Sequence, residues 1–241
     1  MENCFVKAYT LENPGIGLQN ESSLHSSLKD WYYKQGDKVE VKLEGFYIDI
    51  IRDDLLIEIQ TKNFSALRKK LDCLLENHKI KIIYPIAEVK YIIRIDQKGN
   101  QLSRRKSPKR GQSLDIFDEL LRIPDYISNE NLSIDILLIS MDEYWLDDGK
   151  GSWRRKGISI VDRRLSSVNS LLLFENPEDF LKLLPENLPI PFSNKILAKH
   201  LNITIGKATK ITYSLKKMGL IEQVYKVKNE QFFSYNRNYS I

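Results

Sequence analysis

The sequence predicts an α/β domain with a mixed sheet flanked by helices, followed by a small basic domain of two helices and a hairpin. Short β-rich runs alternate with helical stripes as far as residue 187. Three prolines within residues 185–191 then mark a boundary. We therefore divide the chain into an N-terminal arm (1–19), the α/β domain (20–187) and a C-terminal domain (188–241).

The composition favours a water-soluble, intracellular protein. No apolar run reaches the roughly 20 residues that a membrane-spanning helix needs, and no signal-peptide pattern opens the chain. Cys4 and Cys73 lack a metal-binding or redox spacing, so we expect a cytoplasmic location and no membrane partner. His25, His78 and His200 are scattered without the spacing of a zinc site, and we interpret them as structural or surface residues.

The net charge of +5 is unevenly distributed. Residues 188–241 carry nine Lys and Arg against two acidic residues, a net charge of +7, whereas the rest of the chain carries 28 basic against 30 acidic residues. A small domain with this much positive charge indicates a polyanionic partner, and nucleic acid is the simplest one.

The elements of the α/β domain follow from periodicity. Residues from Asn20 have an apolar stripe typical of a helix, with Asn20 or Ser22 as its cap. Alternating Val39, Val41 and Leu43 predict a half-buried strand. The remaining expectations, in chain order, are strands at 46–51 and 55–60, a helix from Phe64, strands at 80–86 and 91–96, a helix at 114–123, a strand at 134–141 and short helices at 166–174 and 178–184.

The two strands at 46–51 and 55–60 flank Arg52-Asp53-Asp54 and read as a hairpin. If the turn is centred between Asp53 and Asp54, partners have numbers that sum to 107, and Asp49 lies opposite Glu58. Directly opposed like charges on an antiparallel pair are destabilising, and a divalent metal ion between them would relieve the repulsion. Alternatively, both carboxylates point to solvent while the isoleucines point inward.

The arrangement resembles the PD-(D/E)XK nuclease superfamily: an acid on one strand, an acid-x-polar triplet on the next, and then a helix. Here these are Asp49, Glu58-Ile59-Gln60 and the helix from Phe64. The resemblance covers residues 20–96. It implies a restriction-endonuclease-like core, Asp49 and Glu58 as ligands of Mg²⁺ or Mn²⁺, and metal-dependent phosphodiester cleavage. Glu21 matches the helix acid of some members, although a first-turn glutamate is also favoured by the helix dipole.

The triplet departs from the superfamily pattern at its third position, where Gln60 stands in place of the usual lysine. Some members of the superfamily also carry glutamine there. Gln60 cannot supply positive charge, so the resemblance implies that it orients the attacking water. The charge would then come from the metal or from a nearby cation, for which Lys62 is the candidate.

Two basic segments of the α/β domain are candidate nucleic-acid contacts, and we expect both to be loops. The first holds Arg104, Arg105, Lys106, Lys109 and Arg110. A solvated surface loop without a ligand is the alternative. The second, within residues 147–157, holds Trp153, Arg154 and Arg155. Trp153 is suited either to stack on a base or to anchor the loop to the core.

Residues 192–236 resemble a winged helix-turn-helix domain: a helix, a short turn, a basic helix ending before Gly219, and a hairpin. Lys207 and Lys210 lie on the expected recognition helix, suited to contacts in a major groove. A module for protein contacts or dimerisation is the alternative.

The sequence therefore predicts a Mg²⁺- or Mn²⁺-dependent DNA endonuclease held on duplex DNA by its C-terminal domain. Cleavage of both strands would further suggest a homodimer. The alternatives are a non-cleaving DNA-binding regulator, favoured by Gln60 in place of lysine, or a structural subunit of a defence or repair complex.

Overall fold

The computed structural model of the 241-residue chain describes residues 22–236. Helix α1 (Ser23–Tyr32) begins at Ser22, whose side chain accepts a hydrogen bond from the backbone N–H of His25. Strands β1 (Lys38–Leu43), β2 (Phe46–Arg52) and β3 (Leu55–Ile59) follow as an antiparallel meander. The N-terminal arm 1–19 and Glu21 lie outside the described residues.

Helix α2 (Arg68–Leu74) follows β3, and four more strands complete the main sheet. Strand β4 (Lys79–Ile95) runs parallel to β3 and to β6 (Leu132–Asp147), while β5 (Gln101–Lys106) and β7 (Ile158–Phe174) pair antiparallel to their neighbours. The order is β1-β2-β3-β4-β6-β7, with β5 paired to the free part of β4. The chain is thus an α/β protein with a large mixed sheet and helices beside it.

Three sequence-based assignments are wrong. Residues 80–86 and 91–96 belong to one strand, β4, whose pairing with β6 shifts between Ala87 and Val89. Residues 103–106 lie in strand β5 and not in a loop. Residues 166–174 are part of β7 and not a helix, because almost the whole of β7 pairs with β6.

Two buried clusters cover the two faces of the sheet. One packs Leu24 and Leu28 of α1 against Ile57, Ile83 and Leu137. The other includes the stripe predicted for the helix after β3, namely Phe64, Leu67, Leu71 and Leu74, and Phe117 of the short helix α3 (Ile116–Leu120). The helix predicted at 114–123 is thus observed in shortened form.

The C-terminal part consists of β8 (Phe192–Ser193), α4 (Asn194–Leu201), α5 (Ile205–Lys217), β9 (Ile221–Val227) and β10 (Glu230–Tyr235). Its strands form a separate sheet in the order β8-β10-β9. Phe192, Ile211 and Leu215 belong to the same buried cluster as Phe117 and Phe180, so the core continues across the proline-rich boundary. Between residues 22 and 236, the helices are too short or too polar to span a bilayer.

Candidate functional site

The hairpin of β2 and β3 holds the candidate site. Its pairs Ile50–Ile57, Ile51–Leu56 and Arg52–Leu55 all sum to 107, as predicted. The paired ladder ends there, one position before Asp49 and Glu58. The backbone N–H of Ile59 donates instead to Asp49 Oδ2 at 2.8 Å. The Asp49 carboxylate therefore lies beside the end of β3, next to the residue that follows Glu58.

Asp49 is held in its ionised form. Its side chain is 20% exposed, and His25 Nε2 of α1 lies 3.3 Å from Asp49 Oδ2. Burial alone would raise the pKa of Asp49, but the hydrogen bonds from His25 and from Ile59 N–H outweigh it and hold the pKa below its usual value. His25, expected from its sequence context to be a structural or surface residue, thus contacts the candidate site.

The pKa of Glu58 is shifted in the opposite direction, upwards. Its side chain is 7% exposed and Lys70 Nζ lies 2.6 Å from Oε1, in a position that makes an ion pair without hydrogen-bond alignment. The pKa of Glu58 is raised to about 7, chiefly by burial and in addition by the charge of Asp49, because Lys70 only partly offsets these two effects. The two carboxylates thus interact electrostatically, as their predicted opposition requires.

Lys70 is placed by the segment that follows β3. Phe64, at the start of the 3₁₀ turn Phe64–Leu67, donates its N–H to Glu119 Oε2 of α3 at 2.8 Å. Leu71 and Leu74 bury the inner face of α2. Lys70 lies at the edge of that face, and its ammonium reaches back to the carbonyl of Tyr47 on β2 at 2.7 Å. It thereby closes the site from the α2 side.

The other residues of the predicted site lie nearby or outside the described chain. The Gln60 amide nitrogen donates to the carbonyls of Lys62 and Asn63, the latter at 3.1 Å, and so shapes the turn into Phe64. Lys62 is exposed on that turn. Glu21 immediately precedes the described residues. The structure thus brings Asp49, Glu58 and Lys70 together.

The donor set suits a hard divalent cation. Asp49 and Glu58 offer carboxylate oxygens, and the buried Glu58 Oε1 pairs with the Lys70 ammonium at 2.6 Å without a well-aligned hydrogen bond from any described residue. Those residues contain no group of three or more His, Cys, Asp or Glu side chains arranged for a metal. Two carboxylates are nevertheless the usual protein share for Mg²⁺, which keeps waters and binds substrate phosphates at its other positions.

The predicted nucleic-acid contacts of the α/β domain lie beyond the hairpin. Arg104, Arg105 and Lys106 are exposed on β5, and Lys109 and Arg110 are exposed in the segment after it. Trp153, Arg154 and Arg155 form a 3₁₀ turn in the predicted loop between β6 and β7. The Trp153 side chain is 83% exposed, so it does not anchor the loop to the core.

Lys207 and Lys210 on α5 face the α/β domain. Lys207 Nζ lies 2.9 Å from Asp115 and 2.8 Å from Asp118, and Lys210 Nζ lies 2.8 Å from Asp118. The Lys207 side chain is only 14% exposed. In this arrangement both lysines stabilise the contact between α5 and the segment around α3.

The fold and site describe an α/β protein with an acidic pair at the end of a strand hairpin. Residues 22–175 match the model of a family described as "Domain of unknown function (DUF8091)", and the chain belongs to this family. The match begins one residue before α1 and ends one residue after β7.

An uncharacterized protein from Treponema pallidum (strain Nichols) is 35% identical over 185 residues, which are 76% of this chain and 74% of the relative. No solved structure matches the chain.

Proposed function

We propose that the protein is a metal-dependent phosphodiesterase that cleaves DNA, with Asp49 and Glu58 as the residues that hold Mg²⁺ or Mn²⁺. The observation that carries the proposal is the charge imbalance of the hairpin: Glu58 pairs with Lys70, whereas Asp49 contacts His25 and a backbone N–H, neither of which carries a permanent positive charge. The pKa of Glu58, raised to about 7, shows that its charge is poorly compensated by the protein itself. A divalent cation would supply the missing positive charge.

Each residue of the site has a distinct task in this proposal. Asp49, ionised by its contacts with His25 and Ile59, provides a permanent negative ligand. Glu58 becomes a full ligand when it loses its proton. Bound Mg²⁺ would polarise the phosphate and activate water for attack. Lys70, whose ammonium already contacts Glu58, replaces Lys62 as our candidate for binding a phosphate oxygen.

We further propose that the C-terminal part is a winged helix that helps to hold the α/β domain on duplex DNA. Its helix–turn–helix and hairpin order, and its net charge of +7, support this role. Because Lys207 and Lys210 pair with acids of the α/β domain, the phosphate contacts must come from other cations. Exposed candidates lie at the far end of α5 and along the hairpin: Lys216, Lys217, Lys226 and Lys228.

A non-cleaving DNA-binding regulator is the second candidate, and one observation favours it. The Gln60 amide nitrogen is engaged by the backbone of its own turn, at the position where the nuclease superfamily usually has a free lysine. Under this alternative, the acidic pair has no catalytic role and the protein acts by binding DNA alone.

Cleavage of supercoiled plasmid separates the two candidates. We expect the wild type to nick or linearise plasmid with Mg²⁺ or Mn²⁺ and to leave it intact with EDTA. Asp49→Ala and Glu58→Ala should each reduce the rate at least about a thousandfold, since each removes a ligand of the ion that carries the chemistry. Asp54→Ala is the matched control, because it removes an exposed acid from the same hairpin turn.

The expected pattern is loss of activity in the two site variants and wild-type activity in the control. Equal cleavage by Asp49→Ala and wild type would show that Asp49 is not part of the active site. If wild-type protein binds plasmid but leaves it supercoiled with either metal, the regulator is the better account.

A further inference from the structure

The strands of the main sheet continue far beyond the candidate site and form what we call the β-extension, residues 89–110 and 141–165. It contains the distal half of β4, all of β5, the distal half of β6 and the start of β7. Because β4 and β6 are parallel and Ile95 pairs with Leu146, the β4–β5 turn and the β6–β7 loop lie at the same end.

The distance from the candidate site to the tip of the β-extension follows from the pairing. Strand β3 ends at Ile59, opposite Ile83, and β4 continues for twelve residues from Ile83 to Ile95. At about 3.3 Å per residue, this carries the sheet roughly 40 Å past the level of Glu58. The same distance corresponds to about a dozen base pairs of duplex, at 3.4 Å each.

The β-extension is the most basic part of the chain. It holds fourteen Lys and Arg against six Asp and Glu, a net charge of +8. With the +7 of residues 188–241 also set aside, the remaining residues hold 14 basic against 24 acidic side chains, a net charge of −10. The positive charge is thus displaced from the acidic body onto the projecting strands, where a polyanion can reach it.

Aromatic rings accompany the arginines of the β-extension. Four guanidinium groups lie over rings: Arg104 on Tyr91 at 3.7 Å, Arg164 on Tyr144 at 4.7 Å, Arg154 on Trp153 at 5.5 Å and Arg105 on Trp145 at 5.9 Å. Arg104 and Arg164 also pair with Asp142 and Asp162. Each of these two ion pairs uses one guanidinium nitrogen, and the other in-plane N–H donors of a ring-supported guanidinium suit phosphate oxygens.

The loop at the tip presents Trp153 in a fixed position. The backbone N–H of Gly151 donates to the carbonyl of Gly157 at 2.8 Å and closes the base of the loop. A Cβ atom at Gly151 would lie 1.8 Å from the carbonyl oxygen of Ile158, so only glycine fits this closure. The Arg155 guanidinium donates to the same carbonyl at 3.1 Å. Trp153, 83% exposed, is left with its ring turned to solvent beside Arg154.

We propose that the β-extension binds the sugar–phosphate backbone of nucleic acid and that Trp153 stacks on an unpaired base at its end. The charge selects a polyanion, and the exposed indole needs a base face that a paired duplex does not offer. The inference rests on the proposed function and gives it a substrate class: nucleic acid with a duplex segment that enters the site and a single-stranded segment at the tip.

Binding in EDTA tests the inference independently of cleavage. The probes are a fluorescein-labelled 30-nucleotide single strand, the matching blunt duplex, and a duplex with a single-stranded overhang. Trp153→Ala should weaken binding of the single strand and the overhang duplex about tenfold, in the range expected for loss of one stacked base. It should leave blunt-duplex binding nearly unchanged. Trp31→Ala removes another partly exposed tryptophan, on α1, and serves as control.

A charge-matched pair of double variants locates the phosphate contacts. Arg104→Ala with Arg105→Ala removes two cations from β5, and Lys38→Ala with Lys42→Ala removes two exposed cations from β1. The first should flatten the slope of log K against log salt by about 1.4 on the single strand, at roughly 0.7 per phosphate contact. The second should leave that single-strand slope unchanged. Melting curves confirm that each variant is folded.

Two results would overturn the inference. If the β5 double variant keeps the wild-type single-strand slope, the β-extension does not bind the backbone. If Trp153→Ala weakens binding of all three probes equally, or of none, the indole does not read an unpaired base. If the variants show the predicted binding pattern but the wild type cleaves no plasmid, the result counts against the metal site and still supports nucleic-acid binding by the β-extension.

Discussion

Two acid clusters lie on the same sheet and differ in how their buried charge is balanced. In the first, Asp49 and Glu58 are both mostly buried, and Asp49 contacts His25 while Glu58 pairs with Lys70. In the second, Asp135 is 1% exposed, accepts a hydrogen bond from the Tyr32 hydroxyl at 2.6 Å, and lies 3.4 Å from Lys81 Nζ. The other acid of that cluster, Glu175, pairs with Lys81 at 2.5 Å but is half exposed.

This difference in charge compensation identifies the hairpin cluster as the candidate site. Burial also raises the pKa of Asp135, and its Oδ1 also lacks an aligned hydrogen bond, but this single buried carboxylate has one lysine and one hydroxyl donor, and solvent screens the second acid. In the hairpin, Glu58 is buried and Asp49 is mostly buried, and Lys70 of α2 pairs with Glu58 alone. An acid buried with its partners stabilises a fold, whereas an uncompensated pair leaves negative charge that a cation can use.

Removing the lysine from each cluster should give the largest difference in the free energy of unfolding between the two clusters. Lys81→Met leaves Asp135 buried without its cation and should lower the free energy of unfolding by about 3–5 kcal/mol. Lys70→Met should cost about 1 kcal/mol, since Glu58 already has a raised pKa and can take up a proton at neutral pH. Chemical denaturation of both variants and wild type at pH 7 measures the difference. A larger loss for Lys70→Met than for Lys81→Met would break the comparison.

The pH dependence of stability should identify Glu58 as the acid whose ionised form is disfavoured in the folded protein. Its pKa of about 7 in the folded protein lies above the value of 4.5 of an ordinary glutamate. The folded state therefore holds the proton more tightly, and this contribution is complete below pH 4.5 and is lost as the pH rises through 7. Over that window, Glu58→Gln should gain up to about 3 kcal/mol of stability relative to wild type.

Asp49→Asn provides the opposite control. The pKa of Asp49 is lowered by His25 and Ile59, so its carboxylate stabilises the fold at neutral pH and loses this effect only in acid. Denaturation midpoints of both variants and wild type from pH 4 to pH 9 test the pair. A constant stability difference between Glu58→Gln and wild type across that range would contradict a raised pKa at Glu58.

Much of the hairpin could be predicted because its pattern is local. Turn residues and alternation gave a register in which every observed pair sums to 107. The extended strands could not be found in this way. Residues 166–174 have a helix-compatible pattern of apolar residues and become a strand through pairing with β6, a partner about 30 residues away in sequence. Tertiary pairing overrides a weak local preference in such segments.

The missed residues of the site had weaker signals. Lys70 stands among Arg68 and Lys69, and only its spacing of three from buried Leu67 indicates that it borders the inner face of α2. His25 likewise lies three residues before buried Leu28. The pairing of Lys207 and Lys210 with α3 had no local signal at all. It depends on how two distant segments pack, so the charge of α5 pointed to DNA although those two lysines face protein.

Metal binding tests the central claim most directly. Calorimetric titration of Mn²⁺ should show a site in wild-type protein that is lost in Asp49→Asn and retained in Asp135→Asn. In parallel melting curves, Mn²⁺ at a hundred times its dissociation constant should stabilise the wild type by about 2.7 kcal/mol. Asp49→Asn should gain far less. Equal Mn²⁺ affinity of Asp49→Asn and wild type, or loss of the site in Asp135→Asn alone, would show that the hairpin carboxylates do not hold the metal.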